Sequence, residues 1–489
     1  MSGRTVVWRI EAASVGVPAD LRAFDALGVH ERSVLADACG HGLDAQLAAL
    51  ANDGPPAAIQ VGALGSVANI DVLVRWIDRL RQANPALAVV VAPVLRSAQE
   101  QALGRACLEQ LVSRATLVTL SGADAAALTS MPRRDGTLYV EQAACRLREC
   151  GATAVAVTGA AADEAMVADY VDAPWASGWL RSPRGRASGC GASGISAWAA
   201  AAALALGFVE IEAVVLGKMA ATQAMHGGDG GGDAFAFRID NLPELVARPD
   251  ERRTPFPALR VPALGLYAIV ESAEWIERVL DAGVRTVQLR IKDASHPRLR
   301  EEVRRAVAAS ERAGAQLFIN DHWRLAIEER AYGVHLGQED LGEADLDAIA
   351  RAGLRLGVST HAYWEVCRAW ALRPSYIACG PIHATATKAM PWIPQGNGNL
   401  AYWCRLLPVP VVAIAGMDLT RARQAWDCGA SGVAVMSGIT AAAQPASAIQ
   451  AFLDVLGTGR HPSNDLRVAR PTLERVAGTR PLMGSERAA

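Results

Sequence analysis

Between residues 264 and 456 the chain alternates short apolar segments with amphipathic ones, and it does so eight times. The short segments are apolar on both faces, which is typical of strands buried in a parallel sheet. Helical stretches such as 301–313 and 346–352 lie between them. Eight strand–helix units within about 190 residues predict a closed (β/α)8 barrel. The predicted strands are 266–270, 286–290, 317–320, 333–337, 356–360, 376–380, 411–416 and 432–437.

The rest of the chain divides by composition. Residues 1–240 alternate strand-like and helix-like segments and end near a glycine-rich patch at 227–232. Polar and proline-containing sequence then predicts a linker at 241–263. The barrel is predicted at 264–456, and the arginine-rich remainder, 457–489, is predicted to be a flexible tail. The predicted fold class is therefore α/β, with one α/β domain followed by a barrel.

Composition excludes several classes of function. The 489 residues exceed one ordinary domain, and a net charge of −2 offers no electrostatic attraction for nucleic acid or an anionic membrane surface. The apolar run 195–206 is too short to cross a bilayer and predicts a buried helix. Nine cysteines without C-x-x-C spacing, and an N-terminus that leads directly into a strand, favour a reduced cytoplasmic protein.

Polar residues interrupt the second predicted barrel strand. Gln288, Arg290 and Lys292 alternate along it, so all three are expected on one face. Two cations on one face of a buried strand require an anion between them. The alternative is a solvated edge of the strand.

Acidic residues follow the third and fourth predicted strands. Asn320 and Asp321 end one strand, and Asp340 follows the next. Two carboxylates at neighbouring strand ends, with Glu339 or a phosphate nearby, suit octahedral Mg²⁺. Asp321 and Asp340 could instead cap or begin the helices that come next.

A second group of polar residues follows strands six, seven and eight. It comprises Thr385, Thr387, Lys388, Gly416, Met436 and Ser437. The hydroxyls and the ammonium group can donate to phosphate oxygens, and backbone N–H groups after the last two strands are the usual phosphate site of such barrels. Glycine and serine also occur in any turn. The pattern predicts a site for a diphosphate with metal and for a separate monophosphate.

The histidines carry no such prediction. His335 lies within an apolar strand and is expected to be a core histidine with its hydrogen bonds satisfied. His322, His361 and His383 lack the spacing of metal ligands.

Residues 265–439 resemble thiamine phosphate synthase. The resemblance rests on QLRIK at 288–292, FINDHWRLAI at 318–327, YGVHLGQEDL at 332–341, RLGVSTH at 355–361 and CGPIHATATKAM at 379–390. It implies a transferase that joins 4-amino-2-methyl-5-pyrimidinylmethyl diphosphate to a thiazole phosphate, or to its carboxylated form. Thiamine phosphate and diphosphate would be the products, and Mg²⁺ the cofactor.

The resemblance also implies roles for residues. The pyrimidine diphosphate side would comprise Gln288, Arg290, Lys292, Asn320, Ser359 and Lys388, with Asp321 and Asp340 as metal ligands. The thiazole side would comprise Thr385, Thr387, Gly416, Met436 and Ser437. Arg290, Lys292 and Lys388 would neutralise the leaving diphosphate. The chain departs from the family pattern at Ala415, where a second glycine is usual.

Five stretches of the N-terminal half carry a second resemblance: ADLRAF at 19–24, ALGV at 26–29, VGALGS at 61–66, PVL at 93–95 and AAAALALG at 200–207. On these stretches, residues 5–240 resemble hydroxymethylpyrimidine and phosphomethylpyrimidine kinase, which implies a ribokinase-like fold. Family positions that contact the substrate carry other residues here, and these are His41, Ala63, Ala92, Leu120 and Ser121. Ala192 or Ser193 stands where the residue that activates the substrate hydroxyl is expected.

Alternatives remain for both halves. The N-terminal half could be an active kinase, which would make the protein bifunctional, or a scaffold, or a ligand-binding module that regulates the barrel. For the barrel, a thiazole tautomerase of the same superfamily and a non-enzymatic barrel are the rivals. Small-molecule substrates are the expected partners, and a homo-oligomer is compatible with the sequence.

Overall fold

The chain folds into two compact units. In the computed structural model the described residues are 5–12, 27–36, 41–94, 101–131, 137–185, 192–226, 238–385, 391–461 and 467–475. One unit comprises Met1–Glu251 with Leu473–Ala489, and the other comprises Arg252–Thr472. The division falls inside the segment predicted as a linker, 241–263, and part of that segment belongs to the first unit's sheet.

The first unit is built on a nine-stranded sheet in the order β2-β1-β3-β4-β5-β6-β7-β8-β9. The strands β1 to β6 run parallel, and β7 to β9 continue antiparallel. They are Val6–Ala12, His30–Ala36, Ala58–Val61, Ala88–Val91, Leu117–Ser121, Ala154–Ala162, Met166–Asp172, Ser177–Pro183 and Glu244–Val246. The central strands β3 and β4 are buried at every position, as expected for a sheet covered on both faces.

Helices flank this sheet. The α-helices are His41–Asn52, Val67–Ala83, Gln101–Ala106, Gly122–Thr129, Thr137–Glu149, Ala192–Ala205 and Glu210–His226, with a π-helix at Cys107–Leu111 and 3-10 turns at Val112–Arg114 and Ile239–Asn241. The predicted buried helix is confirmed. Within Ala192–Ala205, every alanine between positions 197 and 203 is at most 1% exposed. It packs closely on Glu210–His226, where a Cβ on Gly217 would lie 2.6 Å from the carbonyl oxygen of Ser196.

The second unit is a closed barrel of eight parallel strands in chain order, β10 to β17. The strands are Gly265–Val270, Thr286–Leu289, Gln316–Asn320, Gly333–Leu336, Arg355–Thr360, Tyr376–Cys379, Val411–Ile414 and Gly432–Val435. All eight predicted strands are therefore confirmed.

Helices follow the barrel strands. They are Ala273–Asp281, Leu299–Arg312, Trp323–Glu328, Leu346–Arg351, Tyr363–Ala371, Gly396–Leu406, Leu419–Asp427, Ser437–Thr440 and Pro445–Gly457, with a 3-10 turn at Asp340–Gly342. The first of them shows the pattern: Ser272 caps it by accepting the N–H of Trp275, and Ile276 and Val279 are fully buried. No helix among the described residues has the length and apolar character that a membrane crossing needs.

Large aromatic rings fill the barrel interior. Tyr267, Phe318 and Tyr376 are at most 1% exposed, and their ring centroids lie 5.0–6.0 Å apart in tilted or edge contacts. Glycines give these rings room, since a Cβ on Gly333 would lie 2.6 Å from the Phe318 ring. The interior is a packed core, as in other (β/α)8 barrels.

The C-terminal residues 467–475 differ from the predicted flexible tail. Asn399 binds both backbone groups of Arg470: its Oδ1 accepts the N–H at 2.7 Å, and its Nδ2 donates to the carbonyl at 3.1 Å. The Ile393 N–H donates to the carbonyl of Thr472 at 2.9 Å, and the Tyr363 hydroxyl donates to that of Ala469 at 3.1 Å. Residues 469–472 pack against the barrel because their backbone groups have hydrogen-bond partners there, whereas residues 473–475 belong to the first unit.

Candidate active site at the carboxyl ends of the barrel strands

Asp321 lies immediately after β12, whose last residue is the buried Asn320. Its backbone is left-handed, with φ of 61°, and its N–H donates to the carbonyl of His335 at 3.0 Å. The amide of Asn320 donates to its carboxylate. His322, not Asp321, is the residue that precedes the helix Trp323–Glu328, so Asp321 is not that helix's cap. A strained backbone held by two neighbours aims this carboxylate at the mouth of the barrel.

Asp340 begins the 3-10 turn Asp340–Gly342, as one of the alternatives expected. Its Oδ2 accepts the N–H of Gly337 at 3.1 Å. A Cβ on Gly337 would lie 2.8 Å from that oxygen, so glycine is what lets the carboxylate bond back to the end of β13. Capping of the next α-helix is done by Asp345, which leaves Asp340 available.

The two carboxylates influence each other. The pKa of Asp321 is raised, first because the group is buried and second because the negative charge of Asp340 lies nearby. Arg290 and His322 act in the opposite direction on the same pKa. A partly desolvated pair of carboxylates is a donor set for a hard divalent cation, which removes the repulsion. No cluster of three or more His, Cys, Asp or Glu residues occurs in the described part of the chain, so water or ligand oxygens would complete the shell.

Arg290 and Lys292 lie beyond the strand to which they were assigned. The pairing of β10 with β11 ends at Val270 and Leu289, and the Arg290 N–H donates to the carbonyl of Val270 at 2.7 Å. Only Gln288 lies within β11, where it is 2% exposed. Arg290 is half-buried and acts electrostatically on Asp321, whereas the side chain of Lys292 is exposed. The expectation that all three share one face of a strand is therefore wrong for Arg290 and Lys292, which both follow the last residue of β11.

His335 is a core histidine with both ring nitrogens bonded, as predicted. Nδ1 lies 2.8 Å from the Tyr376 hydroxyl, and Nε2 lies 2.8 Å from Oγ of Ser359. Burial, and to a smaller extent the charge of Arg290, lower the pKa of His335 to about 4, so the ring is neutral. The bond to half-buried Ser359 connects this histidine to the site, which the sequence did not indicate.

Two tyrosines also join the site and were missed from the sequence. Tyr267 in β10 receives a hydrogen bond of 3.0 Å from the Gln288 amide, and its hydroxyl lies 2.8 Å from that of Tyr376 in β15. The available signal was that both are polar-tipped aromatics within otherwise apolar strands.

The loops after β16 and β17 lie next to each other. A Cβ on Gly438 would be 3.4 Å from the carbonyl oxygen of Met417. Gly416 has φ of 69°, and a Cβ there would lie 2.8 Å from the carbonyl oxygen of Ala384, one residue before Thr385. Ser437 is exposed at the start of the short helix Ser437–Thr440. Met436 precedes it and packs against the barrel core.

The structure thus brings most of the predicted site to one end of the barrel. Asn320, Asp321 and Arg290 interact directly or electrostatically with one another, and Asp321 interacts with Asp340. Thr387 and Lys388 lie at 386–390, outside the described residues, so their predicted roles stay predictions.

The N-terminal unit places its predicted site positions at strand and helix ends. Ala63 and Ala92 follow β3 and β4. Ser121 ends β5 and caps the helix Gly122–Thr129, and Ser193 lies in the first turn of Ala192–Ala205. Residues 189–191, which precede Ala192, and the resembling stretch 19–24 lie outside the described residues.

The C-terminal unit is a (β/α)8 barrel with charged residues at the carboxyl ends of its strands, which is where such barrels place their active sites. Residues 266–439 match the family model for thiamine monophosphate synthase. The thiamine-phosphate synthase of Cronobacter sakazakii is 53% identical over 197 residues, which are 40% of this chain and 94% of that protein. That of Salmonella schwarzengrund is 51% identical over 213 residues, 43% of this chain and 98% of that protein. The chain belongs to the thiamine-phosphate synthase family, whose members are transferases.

The N-terminal unit matches a different family. Residues 12–234 match the family model for phosphomethylpyrimidine kinase. The predicted fold class, a ribokinase-like α/β domain followed by a barrel, is confirmed.

Solved structures similar to parts of the chain include a thiamine phosphate pyrophosphorylase from Pyrococcus furiosus (24% identity, TM-score 0.36, 40% of this chain, 96% of that one). A phosphomethylpyrimidine kinase from Clostridium difficile 630 is also similar (22% identity, TM-score 0.37, 45% and 99%).

Proposed function

We propose that the barrel joins 4-amino-2-methyl-5-pyrimidinylmethyl diphosphate to the phosphate of 4-methyl-5-(2-hydroxyethyl)thiazole, or to its carboxylated form, releasing thiamine phosphate and diphosphate. The observation that carries the proposal is the interacting pair Asp321 and Asp340 beside Arg290, in a barrel that belongs to the synthase family. A tautomerase that acts on the thiazole alone binds no diphosphate. It would therefore not need a pair of carboxylates that holds a metal ion beside one.

The reaction breaks one bond and forms another. The C–O bond to diphosphate breaks with both electrons leaving on the diphosphate oxygen, and the lone pair of the thiazole nitrogen forms a C–N bond to the pyrimidinylmethyl carbon. No protein nucleophile takes part. Arg290, Lys292 and Lys388 would neutralise the charge that develops on the departing oxygens. Mg²⁺ held by Asp321 and Asp340 would supply further positive charge to the same oxygens.

The remaining site residues would orient the two substrates. Gln288 and Ser359 would bind the pyrimidine, and the loops at Gly416 and Ser437 would bind the thiazole phosphate through backbone N–H groups. Thr385 and Thr387 would bind the carboxyl side of the thiazole. Holding the two rings together converts a bimolecular encounter into a reaction within one complex.

The proposal is tested with the purified full-length chain, both substrates and Mg²⁺, by measuring thiamine phosphate with a chromatographic assay. The expected result is product formation that is abolished by a chelator and restored by Mg²⁺. Turnover of the thiazole tautomer pair without any condensation would reject the proposal in favour of the tautomerase.

For the N-terminal unit we infer a fold that has lost kinase turnover. The positions at which the kinase family contacts its pyrimidine and activates its hydroxyl carry Ala63, Ala92 and Ala192 or Ser193. An alanine has no group for either task, and a serine requires a neighbouring base. The full-length chain is given hydroxymethylpyrimidine and ATP, and release of ADP is measured. We expect none above a protein-free control, and sustained ADP release would establish the bifunctional alternative.

A further inference from the structure

Five side chains form a continuous row of hydrogen bonds across the interior of the barrel. The Gln288 amide Nε2 lies 3.0 Å from the Tyr267 hydroxyl, which lies 2.8 Å from that of Tyr376. The Tyr376 hydroxyl lies 2.8 Å from Nδ1 of His335, whose Nε2 lies 2.8 Å from Oγ of Ser359. The row starts and ends at residues proposed to bind the pyrimidine.

Burial restricts how protons can be arranged in this row. Tyr267, Tyr376, His335 and Gln288 are at most 5% exposed. Each phenol has one proton to donate, and a buried O–H without an acceptor is strongly unfavourable. The arrangement that satisfies every donor is therefore the one that the row adopts.

The amide nitrogen of Gln288 donates to the Tyr267 hydroxyl. Given that bond, the hydrogen bonds of the row can be donated in only one direction if every O–H and N–H proton is to have an acceptor. The Tyr267 proton goes to Tyr376, and the Tyr376 proton goes to Nδ1 of His335. The proton of the neutral imidazole is then on Nε2 and goes to Ser359. The opposite direction leaves the Tyr267 proton without an acceptor among the described residues.

We propose that this row leaves the hydroxyl proton of Ser359 free to donate to the substrate. Because Oγ of Ser359 accepts the Nε2 proton of His335, its own proton is not used within the row. In the opposite direction that proton would go to Nε2, and Ser359 could only accept from the substrate. The partner of the free proton is an acceptor on the substrate, such as an unprotonated ring nitrogen of the pyrimidine. Tyr267, Tyr376 and His335 are positioning residues, and the assignment of the ligand rests on the proposed function.

The direction of the row is measured first, without any substrate. The full-length chain is labelled with ¹⁵N-histidine, and the His335 resonances are assigned from the spectrum of His335→Asn. We expect the neutral tautomer with the proton on Nε2. A proton on Nδ1, or on both nitrogens, would overturn the proposal even in a fully active enzyme.

The second measurement separates the row from general packing. Tyr376→Phe removes the central link, and Tyr363→Phe is the matched control, because Tyr363 is also buried in this unit and donates to the carbonyl of Ala469 instead. Tyr376→Phe should shift the His335 ¹⁵N resonances and raise KM for the pyrimidine diphosphate roughly tenfold, with KM for the thiazole phosphate unchanged. Tyr363→Phe should do neither.

Equal effects of the two variants on both KM values would reduce the row to a packing feature and overturn the proposal. Failure of the chain to make thiamine phosphate would instead reject the proposed function, while the His335 spectra would still decide the direction of the row. The two failures are therefore distinguishable.

Discussion

The ring of Tyr376 occupies the space that a side chain at position 357 would need. A Cβ built on Gly357 would lie 2.1 Å from Cζ and 2.4 Å from the hydroxyl oxygen of Tyr376. The two residues sit on paired strands, with Gly357 of β14 opposite Tyr376 of β15. Because Gly357 has no side chain, the ring and hydroxyl of Tyr376 on the next strand can occupy this space.

Gly357→Ala should destabilise the barrel, because the tyrosine cannot move within a packed core. We expect a loss of about 1–3 kcal/mol in the free energy of unfolding, the usual cost of overpacking. Chemical denaturation of the full-length chain measures it. Gly398→Ala is the control, since a Cβ on that helical glycine meets nothing within 4 Å. Equal stability of Gly357→Ala and the wild type would show that the strand shifts freely.

Asp321→Asn should remove one charge of the carboxylate pair while keeping the shape of the side chain. We expect kcat/KM for condensation to fall by about 10²–10³-fold, the scale of losing one electrostatic stabiliser. More Mg²⁺ should be needed for half-maximal rate. Asp345→Asn is the control, because asparagine caps the helix Leu346–Arg351 as well as aspartate does. Unchanged turnover at saturating Mg²⁺ would contradict the role of Asp321.

Ala415→Gly should stabilise the loop after β16. Ala415 has φ of 82°, a left-handed conformation that costs an alanine more than a glycine, so we expect a gain of about 0.5–1 kcal/mol in unfolding free energy. Gly416→Ala should have the opposite effect, because its Cβ would meet the carbonyl of Ala384. Ala441→Gly is the control: its φ is −97°, so glycine there should bring no gain. Thermal unfolding compares all three, and stabilisation by both glycine variants would argue against backbone strain.

Glu210 gives the first unit a stability that depends on pH. Burial raises the pKa of this glutamate, while the charges of Arg475 and Arg148 oppose the rise. The folded state therefore binds more protons than the unfolded state between the unfolded pKa, 4.5, and the higher folded pKa. The contribution of Glu210 to the free energy of unfolding is therefore greatest below that pH interval, and it falls as the pH rises through the interval.

Glu210→Gln should remove this dependence. The melting temperature of the variant minus that of the wild type should grow as pH increases from 4.5. Glu301→Gln is the control, because Glu301 is an exposed glutamate that also lies in the first turn of a helix, Leu299–Arg312. A difference that is constant across pH would show that Glu210 does not titrate differently on unfolding.

Asn399→Ala should release the C-terminal segment, because it removes the hydrogen bonds to both backbone groups of Arg470. Trypsin should then cleave after Arg467 roughly tenfold faster, as expected for losing one or two net hydrogen bonds. Asn397→Ala on the same helix is the control, since its amide bonds to Gln424 instead. Equal cleavage rates in the two variants would mean that other contacts hold the segment.

Much of the site could be predicted because it follows strand ends, which local sequence marks well. Asn320, Asp321 and Gln288 lie where the strand pattern puts them. Arg290 and Lys292 were misplaced because the end of β11 depends on its pairing with β10 and β12, which its own sequence does not contain. The boundary at the C-terminus was missed for a similar reason: Arg470 is held by Asn399, 71 positions earlier.

The amino-acid sequence was enough to predict the eightfold barrel, the kinase-like α/β domain before it and the carboxylates after β12 and β13. Hydrophobic periodicity and strand ends are properties of a few consecutive residues, so they can be recognised without coordinates. The tertiary structure was needed to show that Tyr267 contacts Tyr376, 109 positions away, and that His335 contacts Ser359. Closing the barrel brings Tyr267 of β10 within hydrogen-bonding distance of Tyr376 of β15 across the interior, whereas His335 and Ser359 lie on the paired strands β13 and β14. No local pattern encodes which side chains then meet.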